Sequence, residues 1–278
     1  MPLHTPGAPS GVIADFGSLA DGLVALRAAS VRGLSHQHDG SPRQDSYAII
    51  STPSSIVVAV ADGVGSAPYS HLGSRVAADT AAAVAATGAG AEAVVVAAIA
   101  AISEQARRLD RDPAALATTL LVLEADIGVA AEPWPVRVTE WGDTRASVYL
   151  PGSVVDGHPD WRRVCPGRDD VAANVRALPL HRVPTTWGST VWFPGEVLMA
   201  ATDGIDSVLD PTNVIGHGLA LAWLEQPTMW QFIADVAFES AGARDDRTAV
   251  CLFRQGTPTP PVRREIADDA DDRPGVAP

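Results

Sequence analysis

The chain has 278 residues, 46% of them hydrophobic and 19% charged, and carries a formal net charge of −13. An acidic surface cannot neutralise a polyanion, so nucleic acid and anionic membrane are excluded as main partners, and cations remain as ligands. All 20 basic residues are arginine, which excludes a GK[ST] phosphate loop, a Schiff-base lysine and a kinase strand lysine.

Two cysteines, Cys165 and Cys251, stand far apart without a CxxC spacing, so neither a disulfide framework nor a thiolate zinc site is indicated. No basic leader segment opens the chain, and no apolar run reaches ~18 residues. A reducing, cytoplasmic setting is expected. The length suits one domain, here residues 28–254, with an N-terminal extension over 1–27 and a Pro-rich acidic tail over 255–278 that composition predicts to be disordered.

In chain order, Val12, Phe16, Leu19, Leu23 and Leu26 recur at helical spacing, although Gly17 and Gly22 weaken that helix. Ala28–Leu34 reads as a first strand, the Gly/Ser/Pro-rich stretch after it as a loop, and Asp45–Ser51 as a second strand. Next comes SIVVAVADGVGS, Ser55 to Ser66: a β-branched run that stops at an aspartate and glycine-rich backbone. Such a run is a buried strand delivering one charge, Asp62, into a loop, and it should pair antiparallel with the strand before it.

Ser70–Ala86 predicts a helix with Leu72, Val76 and Ala83 on one face, ending before Gly88. Ala91–Leu109 predicts a second helix, apolar enough to lie flat on a sheet. Ala117–Ala125, Val136–Thr139 and Ala146–Leu150 read as strands, the last two separated by the WGDTR turn. Residues 151–190 lack periodicity, and a loop of that length predicts a cover over a functional site.

Val191–Phe193 and Val197–Thr202 resume the sheet, and VLMAATDGIDS repeats the strand-to-aspartate arrangement at Asp203. A helical segment near Leu219–Glu225 stops at Pro227. Another helix follows with Trp230, Ile233, Ala234, Ala237 and Phe238 on one face. Thr248–Phe253 is the last strand, and Asp245 stands just before it in ARDDRTAVCLF. Strands in hairpin succession with paired helices favour an α+β arrangement of layers over a doubly wound sheet.

Three aspartates at the rims of buried strands can converge on one pole. Oxygen ligands without a His or Cys cluster select hard cations that keep their waters. Two such ions can activate a water and screen a phosphoryl group together.

The order QDSYAI, VAVADGVGS, ATTLL, WGDTRASVYL, LMAATDGIDSVLD, DDRTAVCLF resembles the metal-dependent protein phosphatases of the PPM type, the type 2C serine/threonine phosphatases, in their bacterial branch. The resemblance spans Val31 to Phe253. It implies a four-layer α-β-β-α sandwich of two antiparallel sheets flanked by helices, with a binuclear Mn²⁺ or Mg²⁺ centre at one end. It further implies that Asp62 bridges both metals, that Gly63 gives its carbonyl to one, that Asp203 and Asp245 bind the second, and that Asp143 belongs to a third, weaker ion. Asp45 matches an acidic residue that orients metal-bound water.

The implied activity is hydrolysis of phosphoserine and phosphothreonine on proteins by a metal-activated water, without a phosphoenzyme, opposing a Ser/Thr kinase. Besides Ala117 in place of the glycine of the family's Gly-Thr-Thr block, three positions depart from the family pattern. Gln44 replaces an acidic residue, Val64 stands where eukaryotic members carry a histidine, and the usual phosphate-contacting arginine falls near Gly40. Arg43 and His36 are the nearby replacements. A catalytically weak regulator that binds phosphoproteins, and an enzyme acting on small phosphorylated metabolites, are the alternatives. The plain structural reading makes the DG pairs ordinary turns, Asp143 a turn cap and His36 a loop histidine. It leaves His71, His158, His181 and His217 structural or exposed, and Trp187, Trp192, Trp223 and Trp230 anchors in core and loops.

Overall fold

A computed structural model of the chain describes residues 11–155, 157–165, 176–209, 213–240 and 244–256. In chain order the elements are β1 (Val12–Leu19), β2 (Val24–Val31), α1 (Leu34–Asp39), β3 (Ser46–Ser51), β4 (Ser55–Ala61), α2 (Ser70–Ala85) and α3 (Ala91–Leu109). They continue with β5 (Leu120–Asp126), β6 (Trp134–Trp141), β7 (Arg145–Val155), β8 (His158–Arg163), β9 (Thr186–Trp192) and β10 (Val197–Ala201). The chain closes with α4 (Asp203–Asp206), α5 (Val214–Ala222), α6 (Met229–Val236) and β11 (Arg247–Arg254). One sheet has the order β1-β2-β11-β10-β7-β8 and the other β3-β4-β5-β6-β9, with antiparallel pairing throughout.

The layers follow from the period of two along each strand. In β4, Ile56, Val58 and Val60 face the core between the sheets, while Val57, Ala59 and Ala61 join the core under α2 and α3. In β11, Val250 and Leu252 face the inter-sheet core, while Ala249, Cys251 and Phe253 meet α5 and α6. A strand buried on both faces has no polar side to display, which is why these runs are continuously apolar. Two antiparallel sheets therefore lie back to back with helices outside both.

Several expectations are corrected. Val12–Leu26 is not a helix: β1 and β2 pair from Val12↔Val31 to Leu19↔Val24 around a tight turn. Ala20, Asp21 and Gly22 take positive φ in that turn. The chain thus enters the sheet at Val12, before the expected domain start at residue 28. The first strand ends at Val31, and Leu34–Asp39 is a helical turn where a loop was expected.

In α2 the buried face is the small-residue one, Gly73, Ala77, Ala78, Ala81, Ala82 and Ala85, whereas Ala83 is exposed and Leu72 and Val76 are half-buried. Close approach selects it: a Cβ on Gly73 would lie 1.9 Å from the Leu116 carbonyl oxygen. The second helix, α3, leans on α2 and the Pro113–Leu116 turn more than on the sheet. In α6 the buried residues are Phe232 and Val236, and Trp230 is 81% exposed, while Trp192 and Trp223 are fully buried.

Residues 151–190 carry strand after all, since β7 runs on to Val155, β8 pairs with it, and β9 begins at Thr186. The stretch around Leu178 docks on Thr118 through two backbone hydrogen bonds (3.0 and 2.8 Å). Residues 166–175 and the tail from 257 lie outside the described residues. No helix among the described residues is long and apolar enough to cross a membrane.

Candidate metal centre

Strand registers bring the carboxylates to one pole. Ser46 pairs with Ala61, so Asp45 enters β3 where Asp62 leaves β4. Ala201 pairs with both Arg145 and Ala249, so Asp203, Asp143 and Asp245 lie at neighbouring strand ends of the other sheet. The two sheets are tied together there. Asp45 Oδ2 accepts hydrogen bonds from the hydroxyls of Thr202 (2.8 Å) and Thr248 (2.7 Å), and the Ser30 hydroxyl lies 2.6 Å from that of Thr248. With Thr248 donating to Asp45, Ser30 donates to Thr248.

Asp62 is held by the strap 117–119. Its amide donates to Thr119 Oγ1 (2.9 Å), its carbonyl accepts from the Thr119 amide (2.8 Å) and the Thr118 hydroxyl (2.8 Å), and the Val64 amide donates to the Ala117 carbonyl (3.0 Å). Gly63 fits where a Cβ would lie 2.8 Å from Ser70 Cβ. Among the described residues no hydrogen bond takes its carbonyl oxygen. Thr119 also meets the Thr144 hydroxyl (2.7 Å), which ties the Asp143 turn to the same strap.

The carboxyls of Asp45 and Asp203 both lie close enough to that of Asp62 to perturb its protonation. Burial, and then the charge of Asp246, raise the pKa of Asp45. Burial, and then the charges of Asp45, Asp203 and Asp245, raise that of Asp62 well above the ordinary range. Burial, followed by the charges of Asp143 and Asp245, raises that of Asp203. Asp45, Asp62, Asp143, Asp203, Asp245 and Asp246 thus share one electrostatic environment, with repulsion that protons or cations relieve.

Whether divalent ions fit is answered by the donors. Asp45 Oδ1 and Asp203 Oδ1 are buried with no hydrogen-bond donor, an arrangement that costs free energy unless a cation or its water occupies the space. Together with the Gly63 carbonyl they form an oxygen-only set suited to Mg²⁺ or Mn²⁺.

Asp246 competes with Asp245 in sequence but differs in surroundings. It is 2% exposed, and its oxygens accept from the Gly33 amide (2.6 Å), His36 Nδ1 (2.9 Å) and the Gln44 amide (2.5 Å). Asp245 has a side chain 62% exposed and lies 3.9 Å from His36 Nδ1. Among the described residues, the potential ligand atoms of His36, Asp245 and Asp246 all lie within 4.8 Å of one another, yet donors already occupy Asp246, so it serves as the anchor joining α1, the loop before β3 and the loop before β11. His36 has its pKa raised, first by the Asp246 hydrogen bond.

Arg43 turns inward, donating to the carbonyls of Asp45 (3.1 Å) and Ser30 (3.3 Å). Sequence reasoning weighs Asp246 only as a rival of Asp245 for the metal, and it missed Thr202, Thr248 and Ser30. The doubled Asp and the threonines flanking Asp203 and Asp246 were the available signal.

Gly204 marks the closest approach, since a Cβ there would lie 2.0 Å from the Asp246 carbonyl oxygen. Gly204→Ala is expected to push the Asp203 turn away from the Asp245 loop and weaken Mn²⁺ binding about 10–100-fold by calorimetry, as loss of ligand-orienting contacts does. Unchanged affinity would refute this role for the packing.

The same architecture occurs in bacterial phosphatases. The catalytic domain of the serine/threonine phosphatase PstP, solved with 2 manganese ions, aligns at TM-score 0.56 and 17% identity over 84% of this chain and 99% of its own. RsbX in complex with magnesium aligns at TM-score 0.54 and 13% identity over 87% and 100%. PppA of Pseudomonas aeruginosa aligns at 0.51 and 18% over 86% and 100%. No curated protein matches at a significant level by sequence. Residues 32–236 match the family described as protein phosphatase 2C. The chain belongs to the protein phosphatase 2C family.

Proposed function

We propose that the protein is a divalent-metal-dependent phosphatase that removes phosphate from serine and threonine residues of phosphoproteins, in opposition to a Ser/Thr kinase. The observation that carries this reading is the pair of buried, donorless carboxylate oxygens of Asp45 and Asp203 flanking Asp62. In this reading Asp62 would serve two ions with the Gly63 carbonyl beside it, Asp203 and Asp245 would hold the second, and Asp143 would hold a third, weaker one. When bound, Mn²⁺ or Mg²⁺ supplies the Lewis acidity that activates water and screens phosphoryl charge.

The chain's own groups do the positioning. Asp45, held through Oδ2 by Thr202 and Thr248, leaves its buried Oδ1 without a donor, and that oxygen can accept a proton from a water. Arg43 steadies the backbone of Asp45, and His36 is oriented by Asp246 through Nδ1. Purified protein with a phosphothreonine peptide should release phosphate with Mn²⁺ and stop with EDTA. Absence of release with either Mn²⁺ or Mg²⁺ sinks the proposal.

A further inference from the structure

The carboxylates crowded at this pole repel a phosphomonoester dianion and offset part of the charge of any bound cations. A side-chain cation at the rim is needed to draw it in. The nearby arginines are mostly committed: Arg43 to the Asp45 and Ser30 carbonyls, Arg145 to Glu140 (3.0 Å) and Arg163 to Asp206 (2.6 Å).

Arg244 differs. It is exposed and immediately precedes Asp245, and its guanidinium makes no hydrogen bond or ion pair with the described residues. Its backbone is nevertheless fixed. The Ser35 amide donates to its carbonyl (3.0 Å), and Gly33 lies so close that a Cβ there would be 2.6 Å from the same oxygen and 2.3 Å from the Asp245 carbonyl carbon. Arg244 lines a cleft of about 380 Å³ with Leu34, Glu239 and Ser240, within the ~300–1,000 Å³ of ligand pockets. The cleft joins an aliphatic wall, a hydroxyl and opposite charges, a lining suited to a peptide side chain.

We propose that Arg244 is the phosphoryl-binding cation of this site and that the adjoining cleft seats the peptide residue next to the phosphorylated one. This rests on the phosphatase reading. Arginine suits the task because its fork meets two phosphoryl oxygens at once.

The test uses wild type, Arg244→Ala, Arg244→Lys and, as a control, Arg176→Ala, an exposed arginine two residues before Leu178, which docks on Thr118. Calorimetry measures Mn²⁺ binding and then inorganic phosphate binding to the Mn²⁺-loaded protein. Arg244→Ala is expected to bind Mn²⁺ within about 2-fold of wild type and phosphate about 10–100-fold more weakly, with Arg244→Lys in between, as loss of a charge-assisted hydrogen bond predicts. KM for a phosphothreonine peptide should rise in parallel, and Arg176→Ala should leave phosphate affinity unchanged.

The assignment is overturned if Arg244→Ala binds phosphate like wild type, if it loses Mn²⁺ as well, if Arg176→Ala takes the effect instead, or if wild type does not bind phosphate. Phosphate bound through Arg244 without peptide turnover would support this inference while overturning the phosphatase reading. Turnover unaffected by Arg244→Ala would do the reverse.

Discussion

Asp62→Asn should lower kcat on a phosphothreonine peptide at saturating Mn²⁺ by about 10³-fold or more, equivalent to roughly 4 kcal/mol of transition-state stabilisation. Asp62 lies close to Asp45 and Asp203 and feels the charge of Asp245, so on the proposed reading its charge would serve every cation at once. Asp203→Asn should fall short of wild type for the same reason. A second readout separates chemistry from folding. In EDTA, Asp62→Asn should unfold at a higher temperature than wild type, because a crowded buried charge has gone, while Mn²⁺ should stabilise only wild type. Activity retained within about 10-fold would remove Asp62 from the site.

Without metal, thermal stability should fall as pH rises from about 5 to about 8, and Mn²⁺ should reverse the trend. Asp45, Asp62 and Asp203 all have folded-state pKa values above their unfolded ones. Their contribution is therefore complete below the ordinary carboxylate range. It is lost as pH rises through the folded values, about 6 for Asp203 and about 8 for Asp45. For Asp203 alone a rise from 3.8 to about 6 corresponds to roughly 3 kcal/mol, or on the order of 5–10 °C in Tm for a domain of this size. Mn²⁺ at a hundredfold excess over its Kd adds about 2.7 kcal/mol. Scanning calorimetry in EDTA decides the matter, and a Tm that is flat or rising over this interval contradicts the crowding.

What could be read from sequence was what local pattern encodes. β4, β10 and β11 are apolar on both faces because a layer lies on each side, and the aspartates at their ends mark where burial stops. α2 and α3 were legible from composition and length. β1 was not, because an edge strand presents half-exposed residues whose spacing imitates a helix. β8, with the sequence HPDWRR, has no apolar run at all and exists through its pairing with β7.

At the site, Asp62, Asp203 and Asp245 stood out as charges beside apolar strands. The hydroxyls holding Asp45 come from residues 157 and 203 positions away, a relation no local window contains. Arg43 illustrates the converse: proximity in sequence to Asp45 suggested a phosphate contact, and the fold gives its guanidinium to backbone carbonyls instead.

The six-stranded sheet has β11 between β2 and β10, which otherwise have no shared edge. During synthesis, most of the acidic cluster is made long before this partner emerges, and until β11 inserts the sheet remains two separate ribbons. Thr248 and Asp245 arrive on that late segment, so an incompletely translated chain lacks both the clamp on Asp45 and one carboxylate of the cation set. On the proposed reading, metal binding would therefore have to wait for β11 to take its place between β2 and β10.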